Sequence, residues 1–297
     1  MVGESRFLRD SSIVSVSSWL MLRAFGLSLC LTFSVMAVEW KLVWSDEFTS
    51  QGPPDECRWT AEIGYLRNGE IQYYTGNRRE NVRQENGCMI LECRREEFLK
   101  PDQGIASLTS GSVTTKGKVD WTYGRFEIRA RMPSGKGGWA SLWLMGKADY
   151  EGKPWPACGE IDIAEHVGRI PEKIFGTIHY QKGGRHRQKA FFVDDFEPEV
   201  DFHVYTMDWN KRWITFRLDG KEYGSVDIKR AEENGWNPLA QPFYLTISLA
   251  LGGSWGGESD LGVLPQQFQI DYVRIYQADG AQSLVKASWD IGSSRSR

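Results

Sequence analysis

Three carboxylates interrupt an apolar run in the segment Gly159-Glu160-Ile161-Asp162-Ile163-Ala164-Glu165. The β-branched residues between the acids favour a strand, in which successive side chains point to opposite faces. Glu160 and Asp162 then share one face, whereas regular alternation would bury Glu165 as a lone carboxylate on the other face, at a high cost. One extra residue, a β-bulge near Ile163 and Ala164, returns Glu165 to the face of the other two acids. The segment therefore predicts a bulged strand with three acids on one face.

Such a row of acids suits the cleavage of a glycosidic bond. After the bulge, Glu160 and Glu165 lie about four strand positions apart, and inward-leaning side chains can approach the ~5–5.5 Å carboxyl separation of a retaining glycosidase. Asp162 would lie between them and orient the attacking carboxylate. Repulsion among the acids is expected to retain a proton in the cluster near neutral pH. By itself, the segment fits an exposed acidic strand edge or a calcium site as well.

Alternation of apolar and polar residues with a period of two extends through much of the chain. It predicts strands at residues 89–93, 124–131, 213–218 and 243–249, a hairpin turn at Asp219-Gly220, and one short helix over residues 228–234. No internal repeat or long linker divides the centre of the chain. Many short strands without a helical repeat indicate a single all-β domain, an antiparallel sandwich or barrel.

One strand-like segment, residues 138–145, combines aromatic and aliphatic residues in alternation. Trp139, Ser141, Trp143 and Met145 share one face, and the aliphatic residues between them share the other. If the aliphatic face lies in the core, both tryptophans face outwards, where flat rings can stack on sugars. On spacing alone, packing of the two tryptophans in the core is an equal alternative.

The N-terminal segment has the features of an export signal. An apolar run, residues 24–37, follows Arg23, is too short for a comfortable membrane span, and ends in small residues. We expect a signal peptide over residues 1–37 that is cleaved after Ala37, with an uncleaved anchor as the alternative. The long stretch before Arg23 leaves Met21 as a second candidate start.

Cleavage predicts a secreted or periplasmic protein with no membrane association. The net charge of −3 offers no basic face for a nucleic acid. Residues 277–297 form a polar tail, for which we expect disorder. Cys30 would leave with the signal peptide, and we expect the four remaining cysteines to be free buried thiols, although an exported protein permits disulfides: Cys57, Cys88, Cys93 and Cys158.

The acidic segment and its flank, residues 155–165, resemble the active-site strand of glycoside hydrolase family 16, in the bulged form typical of its laminarinases. The lichenase branch of that family lacks the extra residue. The resemblance covers roughly residues 40–276 and extends to further ordered motifs at residues 44–48, 68–75, 80–82, 115–118, 123–127, 249–255 and 271–276.

The resemblance implies a jelly-roll sandwich whose concave sheet carries the substrate cleft. It implies a monomeric retaining endo-β-1,3-glucanase that needs no cofactor for catalysis, with Glu160 as nucleophile, Asp162 as its support and Glu165 as acid and base. Implied substrate contacts are Trp139, Trp143, His179, Trp255, Asn68 and Tyr73. Gly256 stands where the family loop usually has proline after the tryptophan, which puts the rigidity of that loop in question.

The resemblance also implies a structural calcium ion. Asp271 would supply a side chain, with Glu47 and the carbonyl of Gly87 as partners, since calcium takes several oxygen ligands.

Other functions remain open at this stage. The same scaffold serves non-catalytic β-glucan-binding modules, although these have usually lost one of the two glutamates. Bulged relatives also cut mixed-linkage glucan or galactans of the agar and carrageenan type, or transfer the sugar to another acceptor.

Overall fold

Two β-sheets pack face to face in this protein, for which a computed structural model describes residues 39–278. The eighteen strands in this part of the chain are β1 (Trp40–Asp46), β2 (Thr60–Ala61), β3 (Ile63–Gly64), β4 (Tyr73–Thr75), β5 (Val82–Glu85), β6 (Cys88–Leu99), β7 (Ile105–Ser110), β8 (Ser112–Thr114), β9 (Gly124–Arg131), β10 (Gly138–Gly146), β11 (Glu160–Val167), β12 (Ile174–Lys182), β13 (Arg185–Val193), β14 (His203–Trp209), β15 (Trp213–Leu218), β16 (Lys221–Asp227), β17 (Phe243–Leu251) and β18 (Gln266–Ala278). Helical structure among these residues is limited to one turn, α1 (Gly253–Gly256), and to 3-10 turns at Lys147–Glu151, Ile228–Ala231, Pro238–Ala240 and Leu261–Val263.

The strand order separates an outer sheet from the sheet that carries the acids. The acidic sheet runs β13-β12-β11-β10-β17-β8-β2. The outer sheet runs β16-β15-β14-β9-β18-β6-β7-β4-β3, with β1 paired to β18 and β5 paired to β6. All pairs are antiparallel except β4 with β7. The predicted all-β antiparallel sandwich is confirmed, and all four predicted strands and the Asp219-Gly220 hairpin are present.

Alternation on β10 determines which face of the acidic sheet lies in the core. Ala140, Leu142 and Leu144 are fully buried between the two sheets, in the core that both sheets share. Trp139 and Trp143 point to the opposite face, away from that core. The aliphatic set therefore faces inwards, and the tryptophans line the face on which the acids lie.

The predicted helix over residues 228–234 is wrong beyond its first turn. Only Ile228–Ala231 is helical, as a 3-10 turn that begins where the Asp227 side chain accepts a hydrogen bond from Lys229 N. The chain is extended at Glu232, and Asn234 has a φ of 51°. A single turn leaves most of its backbone groups without helical hydrogen-bond partners. A helix this short is only marginally stable, so the chain leaves the helical conformation after Ala231.

The predicted signal peptide, residues 1–37 with Cys30, lies outside the described residues, as does the tail beyond Ala278. Strand β18 continues to Ala278, past the expected boundary at residue 276, because Trp40 pairs with Ala278. Within residues 39–278, no helix is long and apolar enough to cross a bilayer.

The four cysteines of this part of the chain are free, as expected. Cys93 and Cys158 are buried, Cys88 is half-buried, and Cys57 is exposed, so the expectation of burial is wrong for Cys57.

Candidate active site

The β-bulge in β11 places all three acids on one face. Asp162 pairs with Trp143 and Ala164 pairs with Leu142, so Ile163 is left without a partner on β10. On the other side, Asp162 pairs with Thr177 and Glu165 with Phe175, so three steps along β11 match two along β12. Both Ile163 and Ala164 are packed in the core. The extra residue thus keeps the apolar side chains inside and turns Glu165 to the face of Glu160 and Asp162.

Burial of the three acids favours their protonated forms. Burial raises the pKa of Glu160 to about 8, with a further contribution from the negative charge of Asp162, while His179 acts in the opposite direction. Burial and the charge of Glu165 raise the pKa of Asp162 well above its usual value. Burial also raises the pKa of Glu165 to about 7. These shifts favour retention of a proton in the cluster near neutral pH, the direction expected from the sequence.

Glu165 is held by two donors from β10. Trp139 Nε1 donates a hydrogen bond of 2.9 Å to Glu165 Oε1, and Ser141 Oγ lies 3.3 Å from the same oxygen. Both bonds stabilise the carboxylate and lower the pKa of Glu165, although by less than burial raises it.

His179 approaches the acids from β12, where it pairs with Glu160 across the strands. Its Nε2 atom lies 3.0 Å from Asp162 Oδ2. Asp162 is 2% exposed, and among the described residues its Oδ2 atom accepts no hydrogen bond of normal geometry. The two groups are therefore at ion-pair distance without an aligned hydrogen bond. Glu160, Asp162 and His179 present ligand atoms that all lie within 4.8 Å of one another.

An aromatic wall, defined by Trp139, Trp255 and Phe175, stands beside Glu165. The rings of Trp139 and Trp255 meet edge to face with centroids 5.5 Å apart, and those of Phe175 and Trp255 are 5.1 Å apart. Trp255 lies on α1, whose loop packs closely on the β9–β10 turn: a Cβ at Gly256 would lie 2.9 Å from the Gly137 carbonyl oxygen. The glycine that replaces the usual proline thus permits this close approach.

The other predicted tryptophan, Trp143, is covered by a side chain that the sequence did not single out. The guanidinium of Arg67 lies over the Trp143 ring, 5.1 Å from its centroid, and over Tyr74 at 5.5 Å. Trp143 is only 8% exposed, and its Nε1 donates to Ser248 Oγ at 3.2 Å. Trp143 is therefore covered, whereas the indole of Trp139 is half-buried.

The segment that contains Asn68 borders the same region. The Asn68 carbonyl accepts a hydrogen bond of 2.8 Å from Ser254 N, which joins this segment to the α1 loop. Glu70 accepts hydrogen bonds of 2.9 Å from both Gln72 and Tyr74. This network fixes Asn68 close to the loop of Trp255.

Tyr73 is not brought to the acids. It packs against Tyr65 and Phe98, with ring centroids 5.3 and 5.9 Å away. Its neighbour Tyr74 joins the network of Glu70 instead, because successive side chains on a strand point to opposite faces.

Sequence reasoning missed four residues of this site: Ser141, Arg67, Trp155 and His186. Ser141 shares the face of Trp139 in the alternation pattern, so that pattern was the available signal. No sequence pattern marks Arg67 or His186. Arg67 contacts a residue far away in the sequence, and His186 contacts a diagonal neighbour on the adjacent strand. Trp155 lies within the quoted motif, and a hydrogen bond from its side chain favours the ionised form of Glu160.

The residues named for calcium carry arginine partners. Glu47 makes two hydrogen bonds to Arg274, at 3.0 and 2.8 Å, and Asp271 accepts one of 2.6 Å from Arg129. Each carboxylate is thus already neutralised, so the two side chains fit an ion poorly unless the arginines move. Backbone carbonyls, including that of Gly87, are not affected by this pairing. The calcium site stays a prediction.

Comparison with known proteins agrees with this geometry. The family described as Glycosyl hydrolases family 16 matches residues 70–274. A Beta-glucanase of Rhodothermus marinus is 41% identical over 253 residues, covering 81% of this chain and 86% of that protein. A Glucan endo-1,3-beta-glucosidase of Cryptopygus antarcticus is 35% identical over 85% of this chain and 98% of its own length.

A solved structure shares the fold. The X-ray structure of the laminarinase from Rhodothermus marinus has a TM-score of 0.73 at 39% identity, covering 81% of this chain and 98% of the other. A family match over most of the chain, two curated relatives above 30% identity and the three acids on a bulged strand all lead to one assignment. The chain belongs to glycoside hydrolase family 16.

Proposed function

We propose that this protein is a retaining endo-β-1,3-glucanase that hydrolyses laminarin-type glucans by double displacement. The observation that carries the proposal is the bulge in β11, which sets Glu160 and Glu165 on one face with Asp162 between them. The names of the relatives support a glucan substrate.

Each acid takes a separate role in this proposal. Glu160 attacks the anomeric carbon and expels the leaving sugar, whose glycosidic oxygen takes a proton from Glu165. Water then attacks the glycosyl ester as Glu165 removes its proton, which releases the sugar with retained configuration. Asp162 lies between the two and orients Glu160.

The electrostatics favour the change of role at Glu165. The negative charge of Glu160 is one cause of the raised pKa of Glu165. Once Glu160 is esterified that charge is lost, so the pKa of Glu165 falls and the carboxylate is ready to act as a base.

A non-catalytic glucan-binding module is the alternative from another class. The three acids, the two donors on Glu165 and the contact between His179 and Asp162 form a complete catalytic arrangement, which a binding module does not need. Release of reducing ends from laminarin separates the two functions directly.

The decisive experiment compares laminarin, mixed-linkage β-glucan and agarose, with chromatography of the early products. We expect short β-1,3-oligosaccharides from laminarin, with less cleavage of mixed-linkage glucan and none of agarose. Preferred cleavage of agarose would overturn the substrate proposal, and early products longer than the substrate would indicate transglycosylation.

The variant Glu160→Gln tests the nucleophile, because it removes the carboxylate and preserves the shape of the side chain. It should abolish turnover and retain laminarin binding in affinity electrophoresis. Turnover by the variant at the wild-type rate would overturn the assignment of Glu160.

We further propose that the mature protein is an exported monomer that needs no cofactor for catalysis. Expression of the full chain should give a product that begins at Val38 in the medium or periplasm, as read by N-terminal sequencing. A product that retains residues 1–37 in the membrane fraction would indicate the anchor instead. Light scattering should give the mass of one chain, and activity should survive chelation.

A further inference from the structure

His186, on β13, packs against His179 at the edge of the acidic cluster. His179 Nδ1 and His186 Nε2 are 2.9 Å apart. The two residues are diagonal neighbours on one face of the β12–β13 hairpin, in which Gln181 pairs with His186. The imidazole of His186 also packs on the indole of Trp155, with ring centroids 4.7 Å apart. His186 thus contacts the one histidine that approaches Asp162.

A hydrogen bond between two imidazole nitrogens requires one proton between them. A neutral imidazole has one N–H donor and one acceptor nitrogen. When Asp162 is ionised, its Oδ2 atom, 3.0 Å from His179 Nε2, favours an N–H at that nitrogen. His179 Nδ1 is then the acceptor, and His186 Nε2 donates.

The hydrogen bond between His179 and His186 can also form when His179 is protonated. The imidazolium then donates from Nδ1 to a neutral His186. Burial, and after it the charge of His179, lower the pKa of His186, which favours its neutral form. In both charge states of His179 the pair therefore keeps one hydrogen bond and one ring orientation.

The orientation of the His179 ring determines whether His179 can form a hydrogen bond to Asp162. The Nε2 atom of His179 is already within 3.0 Å of Asp162 Oδ2, and yet that oxygen accepts no hydrogen bond of normal geometry among the described residues. Because the distance is short, the angle of the imidazole ring decides whether the bond forms.

We propose that His186 is a positioning residue, whose hydrogen bond to Nδ1 fixes the tautomer of His179 and holds Nε2 beside Asp162 Oδ2 and the sugar bound beside Glu160. For its effect on turnover, the inference rests on the proposed function. The tautomer itself exists without substrate and is measurable separately.

Two substitutions separate the hydrogen bond from packing. His186→Phe keeps a flat ring against Trp155 and removes the donor, whereas His186→Gln retains an N–H that can reach Nδ1. A neutral hydrogen bond contributes about 0.5–1.5 kcal/mol, so we expect kcat/KM on laminarin to fall about 2- to 10-fold in His186→Phe and less in His186→Gln.

His203→Phe, on β14 of the outer sheet, is the control and should leave kcat/KM unchanged. Should His186→Phe fail to fold, His186→Ala provides a second variant without a donor.

A double-mutant cycle tests whether His186 acts through His179. In a His179→Ala background, His186→Phe should cause no further loss of kcat/KM. An equal loss in both backgrounds would show a packing role for His186 and would overturn the proposal.

The tautomer provides a readout that packing alone does not change. The chain has only four histidines, so ¹⁵N-histidine labelling yields a spectrum in which His179 is assigned by His179→Ala. We expect the Nε2–H form to predominate in the wild type and in His186→Gln, and a mixture of tautomers in His186→Phe. An unchanged tautomer in His186→Phe overturns the proposal. Failure of the wild type to cleave laminarin would refute the proposed function, and the spectra would still decide the positioning role.

Discussion

Trp139 Nε1 donates a hydrogen bond of 2.9 Å to Glu165 Oε1, so the indole on the face of the acids is also bonded to the proposed general acid. The residue expected only to stack on sugar therefore has a second effect, since a donor to a carboxylate stabilises its ionised form. The cleft surface and the acidity of Glu165 are thus coupled through one side chain.

Replacing Trp139 with phenylalanine should shift the pH profile. The hydrogen bond lowers the pKa of Glu165, so its loss raises that pKa further. Glu165 must carry a proton as general acid, and the alkaline limb of kcat/KM should therefore move to higher pH, by up to about 1 pH unit. Trp255→Phe is the control, because Trp255 packs on Trp139 without bonding Glu165. A limb that stays in place or moves to lower pH would contradict the role of this bond.

Glu160→Gln should stabilise the fold at alkaline pH. The pKa of Glu160 is about 8 in the folded protein, above its usual 4.5, so between these values the folded state binds a proton that the unfolded state has lost. Stability of the wild type therefore falls as pH rises through this window, and glutamine removes the effect. We expect thermal denaturation to show a gain of about 1–4 kcal/mol for the variant at pH 8 that vanishes near pH 4.

An exposed acid provides the comparison for this variant. Lys136 lowers the pKa of Glu258, so the pH dependence of Glu258→Gln should be small and opposite in sign. If Glu160→Gln lowered the free energy of unfolding at pH 8, ionisation of Glu160 would not destabilise the folded protein, and the prediction would be wrong.

Arg67→Leu should destabilise the protein and expose Trp143. Arg67 is paired with Glu62 and lies near Glu70, and its removal leaves two acids without their cation in a mostly buried place. We expect a loss of about 1–3 kcal/mol in the free energy of unfolding, together with stronger quenching of tryptophan fluorescence by acrylamide. Lys136→Leu removes an exposed ion pair with Glu258 and should have almost no effect. Equal effects of the two substitutions would exclude a special role for Arg67.

Calcium should raise the melting temperature if the site at Asp271, Glu47 and Gly87 exists. Binding to the folded state alone stabilises it by mass action. Asp271→Asn should remove the response, while Arg129→Gln should strengthen it by freeing the Asp271 carboxylate. A melting temperature that is the same in calcium and in chelator would show that the folded protein has no stabilising calcium site.

The sheet class, the strands with clear alternation and the bulge at Ile163-Ala164 could all be predicted from the amino-acid sequence. These features are local, because the period of a strand assigns every side chain to a face, and burying one glutamate in the core is too costly to tolerate. The faces of Trp139 and Trp143 followed from the same alternation once the aliphatic face was placed inside.

The side chains that cover those faces could not be predicted, because they come from distant parts of the chain. Arg67 covers Trp143 although 76 positions separate them, and His186 reaches His179 from a neighbouring strand. Alternation likewise could not tell whether Tyr73 or Tyr74 joins the Glu70 network, since that depends on the pairing of a short strand with distant partners. Such contacts arise from the packing of loops and strand registers, which no local period encodes.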